Sequence, residues 1–413
     1  MTTPSLVPLT EDPDYRQFCE ERLKDPYPFY GRLRSEDPVH WCEPMKLWLV
    51  TRFDDVYAGL RDTRLSSDRT GMYLQAMPED LKTRVAPLID HVSKWIQLTD
   101  EPAHGRLRKL VNPAFSPKTI NALRPNVEKL TAKFLEGVTP GEPFDLVHKF
   151  CLPLPATVIC EMLGIPADKR EAFQSASERV ARFSTRGGPR IREHAEPAFQ
   201  ALGELITLFQ DLIDERRVSP KGDLLSVLVQ AEDEGDRLSN EELYAMCVFI
   251  FLAGHETTAN GIASGVLALL QNPGQFEAFK TDVDGLVDGL VEETLRYQSP
   301  VPRAVRQARE DMLIGETNIP GGAMVMLALG AANRDPARFP DPDRFDMRRQ
   351  PNRHLAFGFG FHFCLGALLA RIEMAIAFRF IATHLPGLRL VDPNLTWRPV
   401  LGVRALEKLI VAT

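Results

Sequence analysis

The stretch that most restricts the fold begins at Ser239 and runs without proline to Leu270, just before Asn272-Pro273. Ser239 followed three residues later by Glu242 forms a capping box, which satisfies two backbone N–H groups at a helix start. At 1.5 Å per residue such a helix spans roughly 45 Å, so it must cross the whole of any domain that contains it. That domain is then α-rich. Midway along, Phe251-Leu-Ala-Gly-His-Glu-Thr-Thr258 breaks the local rules. Gly254 weakens a helix, and Glu256 and Thr257 interrupt an apolar run. Thr257 Oγ can bond the carbonyl of Ala253, four residues back, and open the helix locally. Val248–Leu252 before the motif and Ile262 after it argue against a solvent-facing turn.

The second constraint is chemical. Phe357-Gly-Phe-Gly-Phe-His-Phe-Cys-Leu-Gly366 leads into an apolar helical pattern of Leu365, Leu368, Leu369, Ile372, Ile376, Phe380 and Ile381, closed by Pro386-Gly387. Cys364 therefore sits at or just before a helix N-terminus, where free N–H groups and partial positive charge favour a thiolate. Gly358, Gly360 and Gly366 let backbone pass close to something flat and bulky. The phenylalanines keep water out. A thiolate in a dry loop against a large planar group suggests the axial ligand of a haem iron. Zinc held by His362 and Cys364 is the alternative, but no second close-spaced ligand pair occurs. Cys151, Cys160 and Cys247 read as small core residues.

Phe357, Gly358, Gly360, His362, Cys364 and Gly366 fill a pattern that resembles the haem-binding loop of the cytochrome P450 family. Three other stretches resemble that family's motifs in its order. Ala253, Gly254, Glu256 and Thr257 are similar to its oxygen-binding Ala-Gly-x-Glu-Thr. Glu293 and Arg296 match its Glu-x-x-Arg, and Arg344 is the implied third member of a structural trio that holds the loop to Cys364. His104 and Arg108, four apart on one helix face, resemble its propionate contacts. Arg306 is the implied further propionate contact, with Arg303 as competitor.

The resemblance covers residues 25 to 412 and implies a mainly α, P450-like fold with a minor β region. It implies a single domain over residues 1–413, with 1–24 as an N-terminal extension and 357–366 as the haem-ligand loop. It further implies a monooxygenase with b-type haem on Cys364, inserting one atom of O₂ into an organic substrate. Thr257 and Glu256 are the implied catalytic pair, the hydroxyl donating a hydrogen bond to oxygen and the carboxylate exchanging protons with solvent. Electrons are expected from a separate ferredoxin and ferredoxin reductase, steered to Arg106, Lys109, Arg348, Arg349 and Arg353. A peroxide-driven peroxygenase and a non-enzymatic haem-thiolate sensor are the rivals. The intact Glu256-Thr257 pair counts against the first, and the lack of a visible output region against the second.

Composition narrows the rest. Apolar content of 44% and charged content of 25% are ordinary for a globular enzyme, and a net charge of −7 argues against a nucleic-acid partner. Six scattered cysteines and the absence of a leader or membrane anchor lead to the expectation of a cytoplasmic protein. Met, Leu and Phe in the implied lid and loop point to a small apolar substrate.

Read in order, the chain predicts a helix at 26–34, paired strands at 39–41 and 47–50, and a helix at 54–60. A long, weakly periodic connection follows over 63–98, holding Met72, Leu74, Met77, Leu81, Val85, Leu88 and Ile89. Asp100 is expected to cap the His104 helix. Helices are predicted at 119–137, 153–163, 168–183 and 191–217, the last two separated by a break at Arg186-Gly187-Gly188-Pro189. Strands and hairpins are expected over 312–330 and 388–412. Gly285 and Gly289 sit unexplained in the helix that carries Glu293.

Overall fold

Helical apolar spacing is realised along most of the chain, and the short strands among the described residues form one five-stranded sheet and three smaller ones. The structure, a computed structural model, describes residues 25–71, 79–185, 191–233, 235–398 and 402–413. The N-terminal extension, the cluster Met72, Leu74 and Met77, and the break at 186–189 lie outside the described residues.

Ten helices carry the argument: α1 (Tyr27–Glu36), α2 (Phe53–Gly59), α3 (Glu79–Ser93), α4 (Ala103–Val111), α5 (Pro153–Met162), α6 (Arg170–Thr185), α7 (Ile191–Val218), α8 (Asn240–Gln271), α9 (Val283–Tyr297) and α10 (Ala367–His384). The capping box is present: Glu242 N–H donates to Ser239 Oγ at 3.2 Å, and Ser239 N–H to Glu242 Oε2 at 2.8 Å. Helix α8 is buried over most of its length and packs against α5, α9 and α10. Small residues make that possible. A Cβ on Gly265 would fall 2.3 Å from Phe378 of α10 and 2.9 Å from Thr294 of α9, so α8 takes its neighbours at close range.

Strands β1 (Val39–Cys42), β2 (Leu47–Val50), β3 (Leu65–Ser66), β4 (Ala304–Ala308) and β5 (Met324–Leu327) form one sheet in the order β1-β2-β5-β4-β3. Pairing is antiparallel except between β2 and β5, which run parallel with Leu47 opposite Met324. This register sets Arg306 opposite Val325 in β4 and brings Ser66, at the end of β3, beside Gln307. A second small sheet joins Arg389–Leu390, Ile410–Ala412 and Phe144–Asp145.

Three local expectations are corrected. The connection 63–98 contains strand β3 and the 15-residue helix α3. Leu81, Val85, Leu88, Ile89 and Val92 are buried at helical spacing there. Pro87 lacks an N–H and disfavours the helix interior by about 3 kcal/mol, which masks the period, but burial of this stripe outweighs it. The predicted 119–137 helix is two, Pro117–Asn121 and Arg124–Leu135, because Pro125 suits a first turn and not an interior. Finally, Asp100 does not cap α4 with its side chain, since Pro102 holds the N-cap position. Its carboxylate instead accepts from Ser67 N–H at 2.8 Å, Arg309 Nη2 at 2.8 Å and Ser66 Oγ.

Gly289 now has a reason. A Cβ there would lie 2.1 Å from the carbonyl oxygen of Met347, so only glycine lets the segment before the cysteine loop lie on α9. Gly285 donates its N–H to the N-cap Asp282 at 3.0 Å.

Candidate active site

The cysteine loop is built by backbone. Gly358 and Gly360 have φ of +69° and +71°, a region that side chains disfavour. These turns let Cys364 N–H donate to Phe357 O at 2.9 Å. Gly366 is the N-cap of α10, and its N–H is directed at the Cys364 sulfur. Burial pushes the Cys364 thiol up, while the Gly366 N–H and the charges of Arg108 and Arg371 pull it down. A coordinated cation would complete the shift to thiolate.

Next to the loop, imidazole and guanidinium groups converge from three segments, with a hydroxyl from a fourth. His362 follows the loop glycines, and its ring centroid lies 4.2 Å from that of His104 in α4. His362 Nε2 and Ser67 Oγ are 2.8 Å apart. Arg108 lies one turn beyond His104, and Arg306 is buried in β4. Burial, then the charges of Arg306 and His104, lower His362 to about 3. Burial and neighbouring Arg69 lower Arg306 to about 10. Groups that depress one another in this way fit an anionic partner with more than one carboxylate. Of the two competing arginines, Arg306 faces this cluster, and Arg303 lies against Met326 and Tyr30.

In α8 the motif residues separate by face. His255 is buried, stacks on Phe251 at 4.4 Å and bonds its carbonyl through Nδ1 at 2.8 Å. Ala253 is exposed and Thr257 half-buried, midway along an otherwise buried helix. Thr257 Oγ donates to Ala253 O at 2.8 Å, as the spacing predicts, and Thr258 Oγ to Gly254 O at 3.0 Å. A Cβ on Gly254 would meet Ile159 of α5 at 2.9 Å, so this glycine serves packing. Glu256 accepts from Arg398 Nη1 at 2.6 Å, a partner from the C-terminal segment that no sequence spacing announces.

The Glu293–Arg296 pair is fully buried and bidentate, with both contacts at 2.8 Å. Arg296 also donates to the carbonyls of Asn333, Pro342 and Arg344. Glu293 accepts from Asp346 N–H, Asn352 Nδ2 and Arg349 Nε. The third member of the trio is therefore Arg349. Arg344, expected in that role, contributes only its carbonyl and turns its side chain to solvent, 4.0 Å from Asp346. With the carbonyl aimed inward at Arg296, its side chain is left outside. Two members of the expected ferredoxin patch are used internally as well: Arg349 here, and Arg106, which pairs with Asp236 and Glu242. Arg348 and Arg353 are exposed, as are Phe359, Phe361 and Phe363 of the loop.

A sulfur at a helix N-terminus, cationic groups beside it, and open space both at Ala253 and where a Cβ of Gly366 would stand together fit a planar prosthetic group bearing carboxylates. Among the described residues no group of His, Cys, Asp and Glu could hold a bare metal ion, and no helix is long and apolar enough to cross a membrane.

Comparison with known proteins agrees with this geometry. The family model for cytochrome P450 matches residues 74–384. Cytochrome P450 107B1 of Saccharopolyspora erythraea is 39% identical over 97% of this chain and 98% of its own. The vitamin D(3) 25-hydroxylase of Pseudonocardia autotrophica is 39% identical over 94% of each chain. The crystal structure of P450BioI with an acyl carrier protein ligated to hexadec-9Z-enoic acid superposes with a TM-score of 0.88, at 34% identity over 96% of this chain and 99% of that one. The chain belongs to the cytochrome P450 family, whose cofactor is haem, and it is a monooxygenase.

Proposed function

We propose that this enzyme holds b-type haem through Cys364 and inserts one oxygen atom from O₂ into a small apolar substrate. The observation that carries the proposal is the meeting of the cysteine loop with the cationic cluster, where His362 and His104 lie 4.2 Å apart. His104, Arg108, Arg306 and His362 would hold the two propionates, and Ser67 orients His362. Phe357 and Gly358 shape the loop. Gly366 donates its N–H to the sulfur, which limits how much charge the sulfur passes on. When bound, haem with a thiolate ligand supplies the electron-rich centre that favours O–O cleavage.

The chain's own residues manage protons and access. Thr257 presents a hydroxyl on the open face of α8; its single proton, given to Ala253 O in the resting helix, turns from that carbonyl to supply a hydrogen bond to the reacting oxygen. A hydroxyl is too weak an acid to be the proton source. Glu256, the neighbouring acid, exchanges protons with solvent and feeds that hydroxyl. Its bond to Arg398 keeps the carboxylate at the C-terminal segment between turnovers. Electrons come from a separate ferredoxin and its reductase. The donor would dock where Arg348, Arg353 and the three exposed loop phenylalanines share the cysteine side. An apolar substrate suits the chain's similarity to a vitamin D(3) hydroxylase and to a protein solved with a fatty acyl group.

The test is spectroscopic. Reduced protein under CO should show the red-shifted Soret band of a thiolate-bound haem, and Cys364→Ala should lose it. A mutant that keeps this band would falsify the assignment of Cys364.

A further inference from the structure

The first glutamate of Glu292-Glu293-x-x-Arg296 has no part in the buried pair, yet it is as elaborately bound. Glu292 Oε1 accepts from Arg371 Nε at 2.6 Å and Oε2 from Arg371 Nη2 at 3.0 Å. Oε2 is also 3.1 Å from His354 Nε2. His354 Nδ1 accepts from Ala356 N–H at 3.2 Å, which directs the Nε2 proton at Glu292. Arg371, on α10 about two turns past the cysteine, then lays its guanidinium over the ring of Phe357 at 4.5 Å. Phe357 is the residue whose carbonyl holds Cys364 N–H. Glu292 thus grips the cysteine loop on both sides, through His354 before it and Arg371 after it.

The charges matter as well as the grip. Burial would raise Glu292, but His354 and Arg371 hold it at about 2, so it stays ionised and cancels Arg371. The pair is net neutral, and the Arg371 cation is one of two that act on the Cys364 sulfur.

We propose that Glu292 is a positioning residue that sets how much of the Arg371 charge the thiolate feels, and so tunes the reduction potential of the bound iron. An unbalanced cation near the sulfur favours the reduced, more negative centre, and an unbalanced anion disfavours it. The proposal rests on Cys364 being the iron ligand.

The experiment is a dye-mediated redox titration of substrate-free holoprotein, with the ferrous–CO spectrum recorded for each sample. Glu292→Gln should move the potential positive and Arg371→Gln should move it negative. The double variant should return towards the parent. Arg371→Lys, which keeps the charge and loses the fork, should stay near the parent. All four should keep the red-shifted CO band. Single variants that shift the same way, or leave the potential unmoved, overturn the proposal. So does loss of the CO band in the variants alone, which would mean that the residues only brace the loop. A parent without that band would instead sink the assignment of Cys364.

Discussion

Two carboxylate–guanidinium pairs of the same chemistry stand on neighbouring helices, one on α9 and one on α8, and they do different work. Glu293–Arg296 is 0% exposed at both side chains, whereas Glu256–Arg398 is 21% and 37% exposed. The first is surrounded by six further protein contacts from the segment leading to the cysteine loop, and the second has one bond among the described residues. A buried pair is held by the cost of leaving either charge unpaired in the interior. A half-exposed pair gains little over water and opens readily. Burial therefore makes one pair a permanent brace and leaves the other able to open.

The largest expected effect tests the brace. Glu293→Ala strands Arg296 and Arg349 in the interior and should cost about 3–5 kcal/mol, a large part of the stability of an ordinary domain. Urea unfolding of the holoprotein measures it, and a loss below about 1 kcal/mol would erase the distinction between the two pairs.

A third carboxylate sharpens the comparison, because Glu373 is buried with neither oxygen bonded among the described residues. Burial raises it from 4.5 to about 8. The folded protein then holds a proton that the unfolded chain releases between these values. Stability should fall as pH rises through this window. Glu373→Gln removes the dependence and should stabilise the protein by about 3 kcal/mol at pH 7. Parallel unfolding curves for mutant and parent from pH 5 to 8 would refute it.

On the open side, Thr257→Ala should leave substrate binding and oxygen uptake largely intact. Product per NAD(P)H should drop several-fold, with peroxide rising to match. Glu256→Gln should slow the whole cycle instead. Equal coupling in parent and Thr257→Ala would remove the proposed role of the hydroxyl. Arg398→Met should change stability by less than about 1 kcal/mol while altering the rate of NAD(P)H consumption. If it destabilises as Glu293→Ala does, the open pair is a brace too.

The smallest effect concerns the electron donor. With Arg106 and Arg349 engaged internally and three phenylalanines exposed on the loop, reduction by a ferredoxin should slow only modestly as salt rises. Phe361→Ser should weaken docking more than Arg353→Gln does. Stopped-flow reduction across ionic strength separates them, and a steep salt dependence would restore the purely cationic patch.

Much of this site could be read from local pattern, for a physical reason. The capping box, the Thr257–Ala253 bond, the His104/Arg108 face and the turns at Gly358 and Gly360 each depend on residues within a few positions of one another. Backbone geometry converts such spacing directly into contact. Helix α3 was legible in the same way but was hidden by Pro87, whose local penalty is outweighed by burial of Leu81, Val85, Leu88, Ile89 and Val92.

What only the tertiary structure decided is which distant partner each charge meets. Arg349 rather than Arg344 reaches Glu293, because one exposed turn aims the Arg344 carbonyl inward and leaves its side chain outside. Arg398 finds Glu256 across 142 residues, Arg371 finds Glu292 across 79, and Ser67 meets His362 across 295. Local sequence determines the helices, the turns and the cysteine loop. Long side chains carry little information about direction, so their pairing depends on the packed positions of α8, α9 and α10 and on the register of β3 and β4.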